Sequence, residues 1–161
     1  MELDYRYHDG GRSNYFKGDA GDCVVRAISI STNIDYKVVY DELYKVNKDY
    51  KKSRNNKISK KMKSATPRNG NFKKVYHDYI LGKGYRYVPL IKFGSKERTK
   101  LDELTHLKNI IVCINNHMMT MKDSIVYDTW DTRYSYWEGV KAIRTVNAYY
   151  ERIEAWQLWV W

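Results

Sequence analysis

An α+β fold, with N-terminal helices packed on a C-terminal antiparallel sheet, is what this sequence predicts. Three observations lead there. In the first half, over about 23–47 and 71–81, the apolar residues recur at helical spacing. From Tyr85 onward they alternate, or run continuously over strand lengths, between turn residues. Helices first and strands later segregate the two element types, which is the α+β pattern. No internal repeat and no second domain is visible, so residues 1–161 read as a single domain, large enough to bury a core.

Each element has its own signal. Residues 1–21 read as an irregular, tyrosine-bearing arm that ends in a glycine turn. The first helix runs from Cys23 to about Ile30; it is apolar on most sides and therefore central. Thr32-Asn33 breaks it. Asp35 can cap a second helix over about 36–47, with Tyr36, Val39, Tyr40, Leu43 and Val46 on one face. The segment 48–64 mixes Lys, Asn and Ser without an apolar period and reads as an exposed, mobile loop. Thr66-Pro67-Arg68-Asn69-Gly70 is turn chemistry. A third helix over about 71–81 turns Phe72, Val75, Tyr76, Tyr79 and Ile80 inward, and Gly82 is placed to stop it. Tyr85–Ile91 alternates as a strand, and a helical turn near Leu101–Leu104 follows. Ile110–Ile114 is a continuous apolar run that fits a central strand. Residues 118–122 and 125–128 form a hairpin around Asp123-Ser124. Val140–Val146 and Trp156–Trp161 read as further strands.

Composition narrows the function classes. Apolar residues make up 43% of the chain, which argues against general disorder. Sixteen tyrosines and five tryptophans point to an aromatic-rich core with polar tips at the surface. The two cysteines, Cys23 and Cys113, are too few for a disulfide framework, and no zinc-type spacing occurs, so neither a metal nor another cofactor is expected. The first residues lack the basic and apolar regions of a signal peptide, and no apolar run approaches the roughly 18 residues of a membrane span. A soluble, reduced, cytoplasmic protein is the expectation. The formal net charge of +10 is concentrated. Lys48, Lys51, Lys52, Arg54, Lys57, Lys60, Lys61 and Lys63 face only Asp49 within residues 48–63. Such a run is either a solvated loop or a contact for the phosphates of nucleic acid. Tyr50 is its one aromatic, so it offers no stacking platform.

The chemistry centres on Cys23, where a glycine turn meets the start of an apolar helix. A thiol there feels the positive end of the helix dipole, which favours the nucleophilic thiolate. A thiolate needs a base and the base an orienter. His117 begins a strand after the polar pair Asn115-Asn116. Counting outward from the 123–124 turn pairs Lys122 with Ile125, Met121 with Val126 and Thr120 with Tyr127, which brings Asp128 within about two residues of His117. Asp131, three residues on, is the alternative orienter. The oxyanion hole would combine the Cys23 backbone N–H with a side-chain donor from the preceding arm, Asn14 or Lys17. Other readings stand beside these. Cys113, inside an apolar strand, reads as packing, and Asp22 as a helix cap without a chemical role. His8, His77 and His106 read as surface residues, and Asp128 and Asp131 also fit simple hairpin-end positions.

Taken together, Gly21-Asp22-Cys23-Val24-Val25-Arg26-Ala27-Ile28, Tyr40-Asp41-Glu42-Leu43, Arg68-Asn69-Gly70, Lys73-Lys74-Val75-Tyr76, Gly84-Tyr85, His117 and Tyr127-Asp128-Thr129-Trp130-Asp131 resemble a family of small papain-like proteins encoded by phages and prophages. The Asp22-Cys23 pair also resembles the start of the bacteriocin-leader cysteine peptidases. The resemblance implies a papain-like fold, a nucleophile at Cys23, a base at His117 and an orienter at Asp128. Where related sequences often carry glycine, before the histidine and in the following turn, this chain has Asn116 and Ser124. The papain-type glutamine six residues before the cysteine is replaced by Lys17. The implied activity is that of a cysteine peptidase or amidase acting on a host protein or peptide in the host cytoplasm. The alternative is a non-catalytic host-takeover or anti-defence protein that docks nucleic acid or an acidic host protein through residues 48–63.

Overall fold

The protein is described by a computed structural model covering residues 2–18, 20–53, 55–62, 64–68, 70–91 and 97–153. In chain order the strands and helices are β1 (Asp4–Tyr7), α1 (Cys23–Thr32), α2 (Tyr36–Ser53), α3 (Lys57–Lys61), α4 (Lys73–Gly82), β2 (Tyr85–Pro89), β3 (Asn109–Ile114), β4 (His117–Lys122), β5 (Ile125–Asp128), β6 (Tyr134–Trp137), β7 (Val140–Ile143) and β8 (Ala148–Arg152). Short 3-10 turns occupy Arg12–Asn14 and Leu101–Leu104. The fold is α+β.

A six-stranded sheet in the order β1-β5-β4-β3-β8-β2 forms the scaffold. Every pairing is antiparallel except β1 with β5. Alternation along the central strands sorts side chains to two faces. Ile111, Met118 and Tyr150 meet α1, α2 and α4 through Val25, Ile28, Val39, Leu43 and Ile80. Ile110, Val112, Met119, Met121 and Val126 pack on the opposite face against Leu3, Leu101, Leu104 and Val146. The middle of the sheet is thus covered on both sides, which explains the continuous apolar run of β3. β6 and β7 form a separate two-stranded hairpin.

Helix α1 is buried from Val24 through Ser31, as its all-round apolar pattern requires, and it ends at Asn33 in the left-handed region. Helix α2 buries Tyr36, Val39, Tyr40 and Leu43, and then Asn47 in place of the expected Val46. Three sequence expectations need correction. Residues 4–7 are a strand and not irregular arm, because the parallel pairing with β5 supplies hydrogen bonds that no local pattern announces. The basic segment is largely helical. Lysine is a good helix former, and Lys51 and Lys52 complement the C-terminal end of the α2 dipole. Asn56 and Ser59 close a reciprocal capping box on α3. His77 is half-buried rather than on the surface, with Nδ1 2.7 Å from the Tyr150 hydroxyl. The expected strand Trp156–Trp161 lies outside the described residues, as do Arg54 and Lys63.

Candidate active site

Cys23 is the first residue of α1, so its backbone N–H has no partner within the helix and points out of the N-terminal end. Asp22 sits at the cap position, but its side chain makes no capping hydrogen bond, contrary to the sequence expectation. Its carboxylate is fully buried. It accepts from Arg12 at 3.1 Å, from Arg26 Nε at 2.9 Å and from the Tyr36 hydroxyl at 2.6 Å.

The two hairpins of the central sheet bring the other residues in. Asn115-Asn116 joins β3 to β4, and Asn116 takes a positive φ of 56°. Asp123-Ser124 joins β4 to β5, with φ of 49° and 66°. Asn116 and Ser124 therefore occupy two backbone conformations that glycine adopts most easily. The register Lys122–Ile125, Met121–Val126, Thr120–Tyr127 matches the count from sequence. His117 at the start of β4 and Asp128 at the end of β5 meet as a result. His117 Nε2 donates to Asp128 Oδ2 at 2.6 Å, leaving the other ring nitrogen for the thiol. Burial pulls the His117 pKa down. The Asp128 carboxylate and hydrogen bonding to Cys23 outweigh it and hold the ring up at about 9. Burial likewise works against ionised Asp128, but His117, Arg26 and the Thr129 N–H together keep its pKa below the usual value. Trp130 lies over the imidazole, ring centroids 5.4 Å apart.

Cys23 and His117 line one cleft of about 380 Å³, together with Gly70, Asn71, Tyr76, Cys113 and Asn116. One wall is the stretch around Gly70 and Asn71. Asn47 donates to Ala65 O and Asn71 Oδ1, and the Gly70 N–H donates to Gly21 O at 2.9 Å, which pins this wall beside Cys23. Cys113 reaches this cleft from β3, where an apolar strand position alone suggested packing. Burial pushes its thiol up to about 12, so it stays protonated. Tyr76 is also kept protonated, by burial first and then by the two nearby thiols.

Not every sequence candidate comes together here. Asp131 pairs with Arg133 at 2.8 Å, and it is Asp128 that meets the imidazole. Asn14 and Lys17 are exposed and neither lines the cleft, a correction to both as oxyanion donors. The arm turns away through the Arg12–Asn14 turn, and the Lys17 carbonyl instead accepts from Arg68 at 3.5 Å. Lys51, Lys52, Lys57, Lys60 and Lys61 are exposed along the end of α2 and on α3. Lys61, Met62 and Phe72 line a second hollow that shares Gly70 and Asn71 with the first. Sequence reasoning passed over Arg26, Tyr76 and Trp130. Only Arg26 carried a signal, as the partner of Asp22 four residues earlier on a helix. Among the described residues no group of three or more His, Cys, Asp or Glu side chains could hold a metal ion. No helix among them is long and apolar enough to cross a membrane. Comparison with protein-family models, curated proteins and solved structures finds no match to this chain.

Proposed function

We propose that this protein is a papain-like, phage-type thiol hydrolase or acyl transferase that acts on a host polypeptide through Cys23, His117 and Asp128. The hydrogen bond of His117 to Asp128, with Cys23 on the same ring and in the same cleft, is the observation that carries it. The fold supports it too: a cysteine at the head of a central helix packs on an antiparallel sheet that brings histidine and carboxylate on adjacent strands.

In the proposed reaction His117, charged at neutral pH, already holds the proton given up by the thiol, and the thiolate attacks an acyl carbon. The oxyanion is received by the Cys23 backbone N–H and the Tyr76 hydroxyl. His117 then gives its proton to the leaving amine as the carbon–nitrogen bond breaks, which leaves a thioester on Cys23. Water, or a second amine, attacks the thioester and releases the thiol. Iodoacetamide labelling at neutral pH tests the nucleophile. Cys23 should react at least tenfold faster than the same residue in His117→Ala, read by intact mass. Equal rates in the two proteins would refute a thiolate assisted by His117.

A second reading is favoured by the exposed lysines of α2 and α3. Here the same fold is a non-catalytic scaffold, and the basic helices dock nucleic acid or an acidic host protein. It predicts tight salt-sensitive polyanion binding together with slow labelling of Cys23.

A further inference from the structure

Behind the nucleophile lies a chain of alternating charges that thiol chemistry alone does not require. It runs Arg12, Asp22, Arg26, Asp128, His117. Arg26 follows Cys23 by one turn of α1, and helical side chains lean toward the N-terminus. Its guanidinium reaches both carboxylates. Nε donates to Asp22 Oδ1 at 2.9 Å, and a terminal nitrogen donates to Asp128 Oδ1 at 2.8 Å and to the Thr129 hydroxyl at 3.2 Å. The other Asp128 oxygen belongs to His117. With the Thr129 N–H also on Oδ1 at 2.7 Å, the carboxylate cannot rotate without breaking a bond.

We propose that Arg26 is a positioning residue of the site: it clamps Asp128 in the orientation that holds His117 and, anchored by Asp22, ties that carboxylate to the helix carrying the thiol. This rests on the thiol reading above. Buried ion pairs often stabilise no more than well-packed apolar residues would. The telling feature is where this one ends, on the carboxylate that touches the imidazole. Arginine suits the task because its planar fork serves two acceptors at once, which a lysine ammonium on a flexible stem does not match.

The groups that face Asp128 fix the sign of the test. From α1 comes Arg26, with Asp22 at the cap behind it; from β4 comes His117, with Cys23 beyond it; from β1 comes Tyr5, whose hydroxyl donates to the Asp128 carbonyl. Arg12 stands behind Asp22, and Asp131 and Arg133 follow β5 as a pair of their own. Replacing Arg26 by Met removes the cation and lets Asp128 take a proton sooner. Replacing Asp22 by Asn removes an anion and leaves the guanidinium charge wholly to Asp128, the opposite electrostatic change.

Labelling of Cys23 by iodoacetamide is measured from acid to neutral pH on the full chain. In Arg26→Met the acidic limb should move up by about one pH unit and the plateau should fall at least tenfold. In Asp22→Asn the limb should move down. Arg26→Lys should keep the limb near that of the wild type and recover part of the plateau. The low-field proton resonance of His117 Nε2–H should survive Asp22→Asn and vanish in Arg26→Met. A limb unmoved in Asp22→Asn and a plateau at the wild-type level in Arg26→Lys, with only the melting temperature lowered, would reduce Arg26 to a structural ion pair, and these two variants decide the matter even where Arg26→Met fails to fold. A wild type without any His117-dependent limb would instead overturn the thiol reading, and this inference with it.

Discussion

Asp128 and Asp131 are three residues apart, yet one is fully engaged inside the protein and the other pairs with Arg133 at the surface. Asp128→Ala should therefore slow Cys23 labelling at least tenfold, and Asp131→Ala should leave it within about twofold. His117 makes a pH prediction. Its folded value of about 9 stands above the unfolded 6.5, so stabilisation by the charged ring is complete below about pH 6.5 and fades as pH rises to about 9. The amount is on the order of 3 kcal/mol. Urea unfolding of wild type and His117→Gln should show a gap that narrows between about pH 6.5 and about pH 9; a constant gap would contradict it. Tyr76→Phe separates binding an oxyanion from making a thiolate. Acylation by p-nitrophenyl acetate should fall about a hundredfold while iodoacetamide labelling stays unchanged, since alkylation builds no oxyanion. At this scale the sequence was informative where a residue's neighbours in the chain set its surroundings. Cys23 at a helix start is such a case. Asn14 and Lys17 failed because distance along the chain says little about which way an arm turns.

Elements differ in how openly they declare themselves. The β4–β5 register could be counted because a two-residue turn leaves no freedom in the pairing. The apolar period of α2 stops at about residue 47 although the helix runs to Ser53, because its last turns carry lysines. Those turns are held by propensity and end charge, not by a buried stripe. Helix α1 depends on a neighbour that no periodicity reveals. Gly10, at φ +70°, lies against it so closely that an added Cβ would stand 3.1 Å from Arg26 Cα and 3.2 Å from Arg26 O. The Gly10 carbonyl in turn accepts from Ser29 at 3.1 Å. Gly10→Ala should destabilise the protein by about 2–3 kcal/mol, through backbone strain and the shift forced on the helix. It should also slow Cys23 labelling in the folded fraction. Unchanged chemical denaturation would show that the arm gives way instead.

Across the whole molecule, charge is distributed by element. The exposed lysines of α2 and α3 stand apart from the buried, mutually neutralised charges behind Cys23. Replacing Lys51, Lys52, Lys60 and Lys61 by Gln should weaken nucleic-acid binding and flatten its salt dependence by about 0.7–0.9 in log–log slope for each phosphate no longer neutralised. Cys23 labelling should hardly change, because none of these lysines lines its cleft and solvent screens exposed charges over a Debye length of about 8–10 Å. A large fall in labelling would place the basic helices over the cleft. The sheet was only partly legible at this scale. Only β3, β4 and β5 follow one another closely in sequence, whereas β8 reaches back to β2 and β3 and β1 pairs with the distant β5, and Asp-Tyr-Arg-Tyr gives no hint of it. That long reach has a consequence for biogenesis. Tyr5 and Asp128 are 123 residues apart, and the backbone just past β1 also holds the end of β5 through the His8 N–H. On the ribosome the first strand is made early and must wait, unpaired, until β5 has left the exit tunnel. Closing so distant a contact is slow. A nascent chain therefore carries Cys23 and His117 without Asp128 in place until β5 has emerged, and the contact of imidazole with carboxylate forms only then.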